Sequence, residues 1–318
     1  MEKKVMELRA HHALCLRFFE GKGYSAEFVA AVSALTEKLG KNRDTSVRLT
    51  DRPDVLCVSC PHNKNGICDA GFCDYSLVKE RLLPCRALQR LPENAKTVIL
   101  LLCPYKVRDA HPENICRYAS VPDYHDITQK YLLNITDDLK KEFPEYKFES
   151  FADNSPIPEV SAAAAAGLGG YGENGLLINK TYGSWCFICE IVTDLEIPAE
   201  NHFKKCPVCG NCKKACPRGD LEDKCLSAVT QQKKELNFAE KAALKKYNTV
   251  WGCDICAEVC PLNKNAANTY IPEFIAGYRD RYEYGEDISG RAYEWRGEKV
   301  IKRNYEIIYG EMTEDHRD

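Results

Sequence analysis

Residues 206–217 read CPVCGNCKKACP, with Cys206, Cys209 and Cys212 at every third position, Cys216 after three more residues, and Pro217 closing the run. Iron–sulfur clusters are held by four thiolates. Three of them at this spacing wrap one loop around a single cubane, while the fourth points away to a neighbouring cluster. A second half is therefore required, and CDICAEVCP at 253–261 supplies Cys253, Cys256, Cys260 and Pro261. The crossed assignment gives one cluster Cys206, Cys209, Cys212 and Cys260. The other takes Cys216, Cys253, Cys256 and one further thiol, for which Cys225 is the nearest unassigned candidate. Structural zinc takes cysteines as two separated pairs, and a triplet followed by Cys-Pro suits it poorly. The run predicts two 4Fe–4S clusters, and a chain this long must also bind whatever receives their electrons.

The composition agrees. The 318 residues include 18 cysteines, too long a chain for a small secreted disulfide scaffold, and the cysteines cluster in C-x-x-C units that grip metal. The N-terminus, MEKKVMELRAHH, has no signal-peptide pattern, and the apolar runs at 97–103 and 160–170 are too short to span a bilayer. A cytoplasmic protein away from membranes is expected. The net charge of −3 gives no general argument for nucleic acid and none against a local basic face. Such a face is expected at 204–246, where eleven Lys/Arg stand against five acids. These lysines either meet RNA phosphates or offset the charge of the clusters.

The elements that position this chemistry follow from periodicity. Phe28, Val32, Leu35 and Leu39 make one stripe of a helix over 25–39, with Ser25 as N-cap and Gly40 as stop. KTVILLL (96–102) reads as a buried strand, and 125–143 as an amphipathic helix presenting Ile127, Tyr131, Ile135 and Leu139. PEVSAAAAAGLGG (158–170) reads as a small-residue helix running into a glycine turn. GLGGYG (167–172) fits the letters of a dinucleotide fingerprint, but a helix precedes it and no helical pattern follows, so a tight turn is the better reading. The expected divisions are a Cys-rich N-terminal domain (1–92), a binding core (93–200), the double-cluster module (201–264) and a tail packing on the core (265–318), which periodicity does not resolve.

ICRYASVPDYHDI (115–127), ADNSPIPEV (152–160), AGLGGYGENGLLINKTYGSW (166–185), EIVTDLEIP (190–198), the two cysteine runs and RAYEWRGEKVIKRNYEIIYG (291–310) occur in one order. Together they resemble the epoxyqueuosine reductase family, related in architecture to reductive dehalogenases, over residues 95–310. The resemblance implies an α/β (α+β) core holding cobalamin, with an inserted or appended ferredoxin-like double-cluster module. It also implies Cys225 as the eighth cluster ligand and an external low-potential donor such as flavodoxin or ferredoxin. The reaction implied is a two-electron deoxygenation of epoxyqueuosine in tRNA.

By the same resemblance Asp153 is the proton donor, its pKa raised by burial against the corrin and substrate, while Tyr118, Tyr124, His125, Gly172 and Ser184 line the corrin or tRNA site. The chain departs from the family at Glu173, where a basic residue is usual, and at GSWCFICE, where Cys186 and Cys189 form either a metal or redox pair or two packing thiols. It also ends without the helical-repeat domain of longer members. These departures keep two alternatives open: the same machinery acting on another substrate, or an electron-transfer partner that reduces a corrinoid on another protein.

The N-terminal LRAHHALCLRFFEGKGYS (8–25) resembles a small uncharacterised family suspected of binding iron–sulfur. Cys15, Cys57, Cys60, Cys68 and Cys73 are the candidate ligands of a third site, holding either a cluster or zinc.

Overall fold

The computed structural model describes residues 4–9, 26–41, 45–50, 70–153 and 155–310. Strands β1 (Lys4–Arg9) and β2 (Thr45–Thr50) pair in parallel. Helix α1 (Ala26–Lys41) buries Phe28, Val32 and Leu35 with Leu8 of β1, so the expected stripe forms, although Gly40 does not end the helix.

The core sheet contains β3 (Ala70–Asp74), β4 (Thr97–Pro104), β5 (Phe148–Ala152) and β8 (Cys186–Thr193), in the order β3-β4-β8-β5 with every neighbour antiparallel. The core is thus of the α+β kind. Because β3 belongs to this sheet, the core begins by residue 70 rather than at the 92/93 division read from sequence. Period-two alternation gives the sheet two apolar faces. Val98, Leu100, Leu102, Phe151, Ile188 and Val192 share one, and Ile99, Phe148, Cys189 and Ile191 the other.

Helix α2 (Tyr124–Glu142) covers the second face, starting at Asp123, whose side chain accepts from the His125 backbone N–H at 3.0 Å. Its buried stripe is Thr128, Leu132, Thr136 and Leu139, one residue on from the predicted stripe except at Leu139. Burial of Thr128 is tolerated because its hydroxyl donates to the Tyr124 carbonyl at 2.7 Å. Tyr131 turns outward and donates to Glu273. Helix α3 (Glu159–Ala165) covers the first face, and its alanines let it approach closely. Gly71 of β3 is part of that fit, since a Cβ there would sit 2.7 Å from the Ala166 carbonyl oxygen. After α3 come the short strands β6 (Gly170–Tyr171) and β7 (Leu177–Ile178), with β9 (Lys204–Lys205) alongside β6. The glycine run is therefore a turn into a strand, not a nucleotide loop.

The module is built on α4 (Asn211–Ala215), α5 (Leu226–Thr230), α6 (Phe238–Tyr247) and α7 (Ile255–Glu258). The tail, with α8 (Pro272–Ala276) and α9 (Glu298–Tyr309), was expected on the core but packs on core and module together. Asn304, wholly buried in α9, donates to the Thr230 and Val250 carbonyls at 2.7 and 2.8 Å.

Arg117 ties the core loop to the module. Its Nε donates to Glu258 at 2.6 Å, and its other nitrogens reach the Arg108, Asp109 and Ala110 carbonyls. Its guanidinium lies 5.0 Å from the Trp185 ring centroid. Removing it strands a carboxylate and three carbonyls. Arg117→Ala is expected to destabilise the fold by roughly 2–4 kcal/mol in chemical denaturation.

Candidate active site and cysteine quartets

Cys206, Cys209, Cys212 and Cys260 line one cavity of about 60 Å³, together with Glu173 and Asn174. The loop reaches it through left-handed backbone at Val208 (φ 57°) and Gly210 (φ 77°), which starts α4 and sets Cys212 in its first turn. Pro217 and Pro261 each open a short 3-10 turn, leaving Cys216 and Cys260 in extended backbone that aims their side chains away from their own runs. Cys216, Cys225, Cys253 and Cys256 form the second group. The charges of Cys216 and Cys225 act on Cys256, and those of Cys225 and Cys256 on Cys253. Burial pushes the Cys253 thiol up to about 12, so metal binding there releases a proton. Cys260 thus lies beside the first run, and Cys216 beside the second.

Two neighbours bear on both groups. The Glu173 backbone N–H donates to Cys206 Sγ at 3.4 Å, and the Glu173 carboxylate pairs with Lys213. The Asn174 side chain bonds Cys256 while also lining the first cavity, so it stands between the quartets. Cys116 lies beneath Cys253, against Gly252. A Cβ at Gly252 would meet Cys116 Sγ at 2.0 Å, and φ there is 76°, so glycine is required on both counts.

On the core, the chain leaves β5 through Asp153, whose φ of 61° turns its carboxylate toward α2. His125 Nε2 lies 3.2 Å from Asp153 Oδ2, and its Nδ1 lies 2.7 Å from Asp123 Oδ1. The Tyr124 hydroxyl also reaches Asp153, and its ring stacks on Phe187 at 3.9 Å and on His125 at 4.1 Å. The chain alone does not bury Asp153; the burial expected for it is against corrin and substrate. Its side chain is 56% exposed and pairs with the His125 imidazole. Hydrogen bonds to Asp123 and then Asp153 push the imidazole from 6.5 up to about 9. The raised value means the charged pairs stabilise the fold fully below about pH 6.5 and lose that contribution as pH rises through about 9. Imidazole NMR should show His125 titrating near 9, and Asp123→Asn should bring it back toward 6.5.

Of the expected corrin contacts, Tyr124 and His125 join Asp153. Ser184 presents a buried hydroxyl with no partner among the described residues. The Tyr118 ring packs on the same apolar cluster as Tyr124, while its hydroxyl accepts from Trp251 Nε1 at 3.1 Å and Gln231 Nε2 at 3.3 Å. Gly172 sits at a turn beside the first quartet, bonded to the Leu176 carbonyl. Cys186 and Cys189 cannot share an ion, because an i,i+3 spacing on a strand sends them to opposite faces. Cys189 instead faces Cys103, sulfur to sulfur at 3.9 Å. Cys73 packs among core side chains, with burial pushing its thiol up to about 12, while Cys15, Cys57, Cys60 and Cys68 lie outside the described residues. Sequence reasoning missed Glu159 and Glu190. Burial and then the charge of Asp153 raise Glu159 to about 7. Glu190 is fully buried in β8.

Residues 86–154 match the family described as epoxyqueuosine reductase QueG, DUF1730, and residues 205–263 match a 4Fe-4S double cluster binding domain. Residues 23–81 match a family of unknown function, DUF1284. The chain is 30% identical over 268 residues to the epoxyqueuosine reductase of Lactococcus garvieae, covering 76% of this chain and 74% of that one. The structure of the Streptococcus thermophilus epoxyqueuosine reductase superposes with a TM-score of 0.63 at 24% identity, covering 76% of this chain and 77% of that one. An epoxyqueuosine reductase crystallised with an epoxyqueuosine-modified tRNA-Tyr stem loop superposes with a TM-score of 0.58 at 26% identity, covering 68% and 64%. No helix among the described residues is long and apolar enough to cross a membrane.

Proposed function

The chain belongs to the epoxyqueuosine reductase family, and from that premise we propose that it deoxygenates epoxyqueuosine in tRNA, using two 4Fe–4S clusters and cobalamin. The observation that carries this reading is the Asp123–His125–Asp153 line. An electron carrier needs no proton donor, whereas reduction of an epoxide to an alkene consumes protons. His125 is charged at neutral pH and Asp153 is its outlet on the open side. Tyr124 fixes Asp153 from a second direction, so the acid is oriented before substrate arrives.

The residues fit the cofactors. The two quartets supply eight thiols in the crossed pattern. Ser184, with its unpaired buried hydroxyl, and the stacked Tyr124 suit a flat ring fringed with amides. When loaded, the clusters and cobalamin supply low-potential electrons, first singly and then as a pair. Residues 70–200 form the core that binds corrin and substrate in this account, and 201–264 the cluster module. Exposed Lys204, Lys205, Lys213 and Lys214 around the first quartet are suited to tRNA phosphates. The electron donor is a flavodoxin- or ferredoxin-like protein.

Glu173 favours this reading over a changed substrate. It bears on Cys206 and Lys213 rather than on the surroundings of Asp153, so its acidity acts on the first cluster. Absorption titration of the anaerobically reconstituted protein tests the cofactor set. A shifted spectrum of retained cobalamin is expected, and cobalamin that passes freely through a filter overturns the proposal.

A further inference from the structure

Deoxygenating one epoxide consumes two protons, and the His125–Asp153 pair holds one. The inner side of the same site carries more acid than that pair uses. Glu190 is 0% exposed, and the Ser155 hydroxyl is the hydrogen-bonding group at its carboxyl. Strand alternation puts it on the α3 face of the sheet, with Ile188 and Val192. Its register partner is Phe151, and Asp153 follows one residue past the end of β5. The helix covering this face, α3, begins with Glu159.

The groups acting on Glu190 are Glu159 from α3, Asp153 past the end of β5, and the Ser155 hydroxyl, while Arg90, over the Phe151 ring, pairs with Glu149. Leu100 and Phe151 are its neighbours on the flanking strands. Burial and then the charge of Glu159 keep Glu190 in its acid form well above the usual carboxylate range. Three carboxyl groups that act on one another do not all ionise together at ordinary carboxylate values.

We propose that Glu190 and Glu159 store a second proton beneath Asp153 and pass it outward through that residue during the reaction. This rests on the reductase reading above. Both are positioning residues, since only Asp153 meets the substrate. A substrate engaging Asp153 covers its solvent side, which leaves the inner carboxyls as its source of protons. In the balanced step both carbon–oxygen bonds of the epoxide break and a carbon–carbon double bond forms. Two electrons arrive from the external low-potential donor. The oxygen leaves as water with one proton from His125 through Asp153 and one from Glu159 and Glu190, which regain theirs from solvent after product leaves.

Glu190→Gln preserves size but carries no transferable proton. Infrared spectra of the apoprotein at pH 8 should show the carbonyl stretch of a protonated carboxylic acid in wild type and lose it in Glu190→Gln. In the reconstituted enzyme, kcat should fall by about ten- to a hundredfold with KM unchanged, and the solvent deuterium isotope effect on kcat should rise. Glu159→Gln, at a half-buried helix start, should lower kcat in the same way and serves if Glu190→Gln does not fold. Absence of the band, or wild-type kcat and isotope effect in the variants, overturns the store. A wild-type enzyme that shows the band but leaves epoxyqueuosine unchanged would instead overturn the functional reading alone.

Discussion

Asp153→Asn abolishes turnover, by at least about a hundredfold, while iron content, cluster spectra and bound cobalamin stay at wild-type levels. The substitution is a clean one for a structural reason. Residue 153 holds a φ of 61°, a conformation that asparagine tolerates nearly as well as aspartate and that alanine does not. The amide keeps a hydrogen bond to Tyr124 but cannot carry a proton from His125 to substrate. Asp153→Ala would combine loss of the acid with backbone strain, so a drop in activity there would be ambiguous. Nucleoside analysis of the tRNA after a timed incubation reads the result. Turnover of Asp153→Asn within a few fold of wild type would remove Asp153 from the acid role.

Cys260→Ser and Cys216→Ser carry the second large effect, because each residue belongs to one run and to the other cluster. Cys260 shares its cavity with Cys206, Cys209 and Cys212, while Cys216 acts on Cys256 beside Cys225. Each variant should fall from about eight iron atoms per chain to about four and lose turnover. The paramagnetic resonance signal lost in Cys260→Ser should match that lost in Cys206→Ser. The signal lost in Cys216→Ser should match that lost in Cys253→Ser. If Cys260→Ser and Cys253→Ser lose the same signal, the clusters are not crossed.

Much of this site is legible in the chain, and for identifiable reasons. Cysteine ligands at i, i+3 and i+6 depend on local loop geometry, so Cys206, Cys209 and Cys212 could be assigned without the fold, and the Cys-Pro pairs mark where the side chains leave. The strand at 97–104 and the helix at 124–142 follow from apolar period and length. The buried stripe of that helix was displaced because a threonine can satisfy its own hydroxyl and take a core position, which hydrophobicity does not weigh. Cys186 and Cys189 looked like a pair because the eye counts residues, whereas a strand alternates faces. Glu159, Glu190 and the partnership of His125 with Asp153 depend on strand register and on a helix start 28 residues away from the aspartate's loop. A lone glutamate in FICE carries no sign of its burial, since only the β5–β8 pairing shows what it faces.

The boundary near residue 92 failed for a related reason. Its proline and polar residues lie in the connection, residues 75–96, between two strands of one sheet. Composition marks turns and linkers alike, and hydrogen bonding between the flanking strands tells them apart.

The most direct test of the account is turnover itself. Protein reconstituted anaerobically with iron, sulfide and cobalamin is given a low-potential donor and tRNA bearing epoxyqueuosine, and the digested nucleosides are weighed by mass spectrometry. The account predicts that epoxyqueuosine loses one oxygen atom and becomes queuosine, with two electrons consumed for each product. Epoxyqueuosine left intact by protein whose clusters are reduced and whose cobalamin is bound would contradict it.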